Sequence, residues 1–150
     1  LEEILFHEER GGQAPEQEHY LPLVRWITDV ISRRQGKVGP INYIFCGDEY
    51  LHDMNVQYLD HDTLTDIITF PYASFPEISG DLFISTERVA DNARQFSTKY
   101  SDELHRVIIH GILHLCGQGD KRPEEAEQMR TLEQWALDLR PAALLSDTGE

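Results

Sequence analysis

His110 and His114 lie four residues apart, and Asp120 follows them beyond two glycines, in a segment reading H-G-I-L-H-L-C-G-Q-G-D. At about 3.6 residues per turn, positions i and i+4 share one helix face with Cβ atoms about 6 Å apart, so both imidazoles can reach one ion. Gly117 and Gly119 provide the backbone freedom to end the helix and turn the chain, which lets Asp120 face the two rings. Three protein ligands with an open fourth position are the arrangement of a catalytic zinc, which polarises substrate oxygens and activates water near neutral pH. The flanking V-I-I and I-L residues make the helix apolar. An unpartnered imidazole buried there costs roughly 1–3 kcal/mol, and a metal is one partner that removes the cost. Two imidazoles and a carboxylate also suit non-haem iron, but the helical i, i+4 pair favours a single Zn2+. In helix-borne zinc peptidases of the H-E-x-x-H type, a Glu beside the first His is the general base. Gly111 holds that position here, which disfavours such a peptidase.

The segment resembles the YbeY-type endoribonucleases, also described as rRNA maturation factors, whose signature is H-G-x-L-H-L-x-G-Y-D-H. His110, Gly111, Leu113, His114, Leu115 and Gly117 match it position by position. The family's Tyr falls on Gln118, its Asp on Gly119 and its third metal-binding His on Asp120, so the resemblance implies that Asp120 is the third ligand. Zinc accepts either donor, although an anionic ligand makes a bound water less acidic. The stretch from Leu51 to Pro71 is similar to the family's L-N-x-x-Y-R-x-K-D-x-P-T-D-V-L-S-F-P, and Gly80 to Ser85 to its G-D strand. The family's Arg, implicated in its activity, is Leu59 here, and its Pro is Leu64. His61, at a family Lys, is the nearest polar candidate to replace the missing charge. Asp66 and Asp81, each in a segment resembling the family, are the candidate catalytic carboxylates, with a turn or strand-end cap as the alternative for each.

Those likenesses imply a zinc-dependent, single-strand-specific endoribonuclease acting in rRNA maturation (small-subunit 16S rRNA processing) and ribosome quality control. Its partners would be single-stranded RNA or an rRNA precursor and the ribosome or ribosomal proteins, with no DNA and no membrane. A non-catalytic ribosome-associated factor with a structural metal, or another metal-dependent hydrolase, are the competing readings. The formal net charge of −14 argues against generic nucleic-acid binding. RNA affinity would then rest on local cations, with Arg88, Arg94, Lys99, Arg106, Lys121 and Arg122 as candidates, or on a partner.

A length of 150 residues with 40% hydrophobic content fits one domain over 1–150. No run of about 18 apolar residues exists and no signal-peptide pattern opens the chain, so a cytoplasmic protein is expected. Cys46 and Cys116 form no C-x-x-C pair, which agrees with a reducing compartment, and Cys116 reads as a buried thiol. Periodicity predicts strands at Ile4–His7, Ile41–Cys46, Ile67–Phe70 and Asp81–Ile84, the last two separated by a turn from Pro71 to Ser79. Helices are predicted from Pro22 to Arg34 (ended by Gly36), Glu49 to Tyr58, Ser85 or Thr86 to Phe96, from a cap at Ser101 or Asp102 through the histidines, and from Pro123 to Leu139. This is an α+β fold, a roughly four-stranded mixed sheet with helices packed on it and the histidine helix near the middle. Trp26 and Trp135 read as packing residues, His105 as solvent-exposed, and the tail from Pro141 as frayed.

Overall fold

The computed structural model describes residues 3–59 and 65–145. Among them four strands, β1 (Ile4–Glu8), β2 (Lys37–Cys46), β3 (Ile67–Pro71) and β4 (Glu77–Ser85), form one mixed sheet in the order β1-β2-β4-β3. β1 and β4 run parallel to β2, and only β3 is antiparallel, pairing Ile68 with Phe83 and Phe70 with Asp81. Six α-helices accompany the sheet: α1 (Tyr20–Arg33), α2 (Asp48–Leu59), α3 (Thr86–Phe96), α4 (Tyr100–Leu115), α5 (Pro123–Leu137) and the short α6 (Ala142–Leu145).

Because side chains alternate along a strand, the sheet has two different faces. Ile41, Tyr43, Phe45, Ile78, Leu82 and Ile84 enter the main core, together with Trp26, Ile27, Val30 and Ile31 of α1, Val89 of α3 and Met129 and Ala136 of α5. α4 lies within this layer, with Ile108, Ile109, Ile112 and Leu113 fully buried. The Tyr43 hydroxyl donates to the Ile108 carbonyl at 2.9 Å and pins α4 to β2. Indole Nε1–H of Trp26 donates to the Ala136 carbonyl at 2.8 Å and ties α1 to α5. The other face carries a smaller cluster of Cys46, Leu51 and Ile68 under α2.

All four predicted strands and the five predicted helices are present, with shifted ends. β2 begins at Lys37 because a register irregularity between Val38 and Ile41 accommodates Gly39 and Pro40, residues that break the alternating pattern. β4 begins at Glu77, since Ile78 is buried in the core although Ser79 and Gly80 interrupt the apolar run. At the end of α1 the left-handed residue is Gln35, with φ of 66°, and the amide of Gly36 then donates to the Ile31 carbonyl. Ser85 caps α3 by accepting from the Arg88 amide. α4 starts one residue before Ser101, without a side-chain cap, and Asp102 instead pairs with Arg140. Of the tail expected to be frayed, Ala142–Leu145 forms α6, which puts Leu144 into the core beside α1, and residues 146–150 lie outside the described residues. No helix among the described residues is long and apolar enough to cross a membrane.

Candidate metal centre

The last turn of α4 and the loop after it bring three side chains together. His110 and His114 present their rings nearly perpendicular, with centroids 4.5 Å apart. Their Nε2 atoms lie 3.4 and 3.3 Å from one Asp120 oxygen, Oδ2. One ligand atom from each residue falls within 4.8 Å of the others. Gly117 makes the return possible: its φ of +99° is a left-handed conformation that few other residues adopt, and Gln118 then donates its amide to the Leu113 carbonyl.

Each ring is held through its other nitrogen. His110 Nδ1 lies 2.6 Å from Glu133 Oε2 on α5, and His114 Nδ1 lies 2.8 Å from the Gln118 carbonyl oxygen. A carboxylate and a carbonyl accept, so both Nδ1 atoms carry a proton, which leaves Nε2 of each ring as the atom that would meet a metal beside Asp120. This is the arrangement of metal-binding histidines. The surrounding charge favours a cation. Burial alone would lower the His110 pKa, yet it is raised, because the hydrogen bond and charge of Glu133 and then the charges of Asp120 and Asp66 outweigh burial. The donor set, tautomers and charge therefore fit a divalent ion; they do not select among metals.

The cluster opens into a cleft of about 630 Å³ that also includes Leu59, Asp66 and Lys121. Asp66, just before β3, has a raised carboxyl pKa: burial raises it, while the positive charges of His110 and Arg106 oppose the shift. Asn92 donates to its Oδ2 at 3.5 Å. The structure brings Asp66 to the metal ligands and keeps Asp81 away. Leu82 packs towards α4, so its strand neighbour Asp81 emerges on the opposite face, accepting from Asn42 Nδ2 at 3.3 Å beside Phe70, Phe83 and Tyr50. Asp81 does not line this cleft. His61 and Leu64 lie outside the described residues.

The basic residues sort equally clearly. Arg88 pairs with Asp48 and Asp91, Arg94 with Asp91, Arg106 with Glu103 and Glu133, and Arg122 with Glu125. Lys121 is the cation that lines the metal cleft. Gly111, the position of the peptidase base, packs directly on the sheet: a Cβ there would come within 2.3 Å of Leu82 Cδ2. His105 is not exposed. It is 6% accessible, accepts from Arg140 Nη1 at Nδ1, and burial and then Arg140 lower its pKa to about 4. Cys116 is half-buried, and burial pushes its thiol up to about 11.

Glu133 is the functional residue that the sequence reading missed. It lies among Met129, Ala136 and Leu137 on the buried stripe of α5, and a carboxylate on an apolar stripe needs a partner.

The family model for endoribonuclease YbeY matches residues 8–139. Endoribonuclease YbeY of Flavobacterium johnsoniae is 56% identical over 108 residues, covering 72% of this chain and 78% of that protein. The Bacteroides fragilis protein of the same name is 54% identical over 115 residues, covering 77% and 83%. A solution structure from Thermotoga maritima superposes with a TM-score of 0.69 over 98% of this chain and 99% of that one; at 23% identity it shows the shared fold. With the family model spanning nearly the whole described fold and relatives above half identity, the chain belongs to the YbeY family of metal-dependent endoribonucleases.

Proposed function

We propose that this protein is a zinc-dependent, single-strand-specific endoribonuclease of rRNA maturation and ribosome quality control, working in the cytoplasm on rRNA precursors, in company with the ribosome or its proteins. The observation that carries the reading is the convergence of His110 Nε2, His114 Nε2 and Asp120 Oδ2 in a cleft that also holds Asp66 and Lys121. Bound there, a zinc ion supplies Lewis acidity towards a phosphoryl oxygen and lowers the pKa of water.

The chain's own residues do the rest. Asp66, whose carboxyl pKa is raised by burial, takes the proton of the attacking water as its oxygen bonds to phosphorus, while the P–O bond to the leaving ribose oxygen breaks and that oxygen takes up a proton from solvent. Lys121 faces the phosphate and balances charge that grows in the transition state, a role open because Leu59 stands where the resembled family has Arg. His114 and Gln118 hold one wall of the site through their hydrogen bond. Gly111 offers no carboxylate and the sheet fills the space above it, so peptide hydrolysis of the H-E-x-x-H type has no base. The charge of −14 opposes the grip on a long duplex, which agrees with a single-stranded substrate delivered with help from a partner.

His114→Ala tests the reading. The variant is expected to lose zinc by elemental analysis and to cut a single-stranded oligoribonucleotide slower by on the order of 10³-fold or more. Cleavage at the wild-type rate by that variant, purified free of metal and contaminating nuclease, would falsify it.

A further inference from the structure

We infer that Glu133, clamped by Arg106 and Glu103, is a positioning residue that fixes His110 for the metal and sets how tightly this chain holds it. The inference rests on the zinc-site reading above and goes past its three ligands.

Glu103, Arg106 and His110 are spaced i, i+3, i+7 along α4 and so share a face, towards which α5 brings Glu133. Both glutamates are 3% exposed. Arg106 grips Glu103 with Nε and Nη2 and reaches Glu133 Oε1 with Nη1 at 3.1 Å. Glu133 thus has one oxygen occupied by Arg106, and its other oxygen, Oε2, accepts from His110 Nδ1–H. Its carboxylate cannot rotate without breaking one of the two bonds.

Two carboxylates sharing one guanidinium are a poor way to pack two helices, because apolar side chains of similar volume do so at equal or better stability. The arrangement has a use at His110, where it forces the proton onto Nδ1 and aims Nε2 into the cleft. His114, by contrast, relies on one backbone carbonyl. Removing the partner of a ligating histidine weakens metal affinity by about 10- to 100-fold.

Glu133→Gln is the sharpest variant. An amide has one acceptor oxygen where Arg106 and His110 together require two, so one of them must meet an N–H. The full-length metal-free chain is titrated with Zn2+ against a chromophoric chelator, and the His110 ring tautomer is read by long-range 15N NMR in alkaline buffer. Wild type is expected to show an Nδ1–H tautomer. Glu133→Gln and Arg106→Met should bind zinc about 10- to 100-fold more weakly with a disturbed His110 tautomer. Arg106→Lys, keeping the charge, should recover part of the loss. The two Arg106 variants leave His110 and Glu133 in place and carry the test should Glu133→Gln fail to fold. Zinc affinity within twofold of wild type and an unchanged tautomer in Arg106→Met would overturn the inference, with the zinc site itself intact. Absence of zinc binding by wild type would instead sink the site reading, and the tautomers of the metal-free chains would still decide whether the clamp positions His110.

Discussion

Towards each end of α4 lies a histidine, His105 buried and His110 half-buried, and α5 with its following residues supplies a partner to both. At the first end Arg140 donates to His105, under the edge of the Trp26 ring. At the other, Glu133 accepts from His110. A cationic partner and burial together keep His105 neutral, with its pKa lowered to about 4, whereas an anionic partner raises that of His110 in spite of burial. The sign of the neighbouring charge, with the greater exposure of His110, separates the packing histidine from the metal-binding one.

That contrast is sharpest in activity. If chemistry belongs to the metal end alone, Asp66→Asn should slow cleavage by about 10²- to 10³-fold, the contribution of a positioned base, with bound zinc retained. Asp81→Asn, on the opposite sheet face, should stay within about twofold of wild type, well under 1 kcal/mol. Single-turnover cleavage beside metal content measures both. A slow Asp81→Asn enzyme with a normal Asp66→Asn one would reverse the assignment.

Stability against pH probes the other end. Unfolded His105 takes up a proton near its ordinary pKa of 6.5, while the folded chain resists until about 4. Between these values the unfolded state binds more protons, so this residue's contribution is complete above pH 6.5 and is lost as pH falls towards 4. The loss is about 3 kcal/mol. In denaturant titrations of zinc-free protein, wild type should lose roughly that much more stability than His105→Leu between about pH 7 and about pH 4. Parallel curves for the two proteins would mean that Arg140 and burial do not hold His105 neutral.

The metal end was legible in the sequence because its signal is local: His110, His114 and Asp120 lie within one turn of helix and one short loop. The α+β class and every main element were legible for the same reason, since periodicity and capping act over a few residues. Contacts across the sheet were not. Asp66 and Asp81 looked equivalent until the fold put Asp66 in the bend before β3, where it lines the metal cleft, and Asp81 within β4 beside Phe70 and Phe83. Glu133 acts on a residue 23 positions away. His105 read as exposed because a histidine off the ligand face is usually solvated, and nothing local reveals that α4 is covered on nearly every side or that Arg140 awaits it.

Gly111, the neighbour of His110, offers the smallest of these tests. Ala is a better helix former than Gly by about 1 kcal/mol, so on an open helix Gly111→Ala would stabilise. Here the new methyl would sit 2.3 Å from Leu82 Cδ2 and 2.9 Å from Ile67 Cδ1. Both residues pack against the core, and Leu82 is fully buried. Overpacking of that kind costs about 1–3 kcal/mol, which outweighs the propensity gain. The expected net loss is roughly 1 kcal/mol, a fall of about 2–4 °C in Tm. A rise in Tm would show that α4 can move off β3 and β4 without strain. Should α4 lift instead, His110 and His114 move with it while Asp66 stays with the sheet, so cleavage should fall more than zinc affinity. The local spacing that holds two imidazoles and a carboxylate together is carried by α4 and its loop; the distance from that cluster to Asp66 is set by the close approach that Gly111 permits.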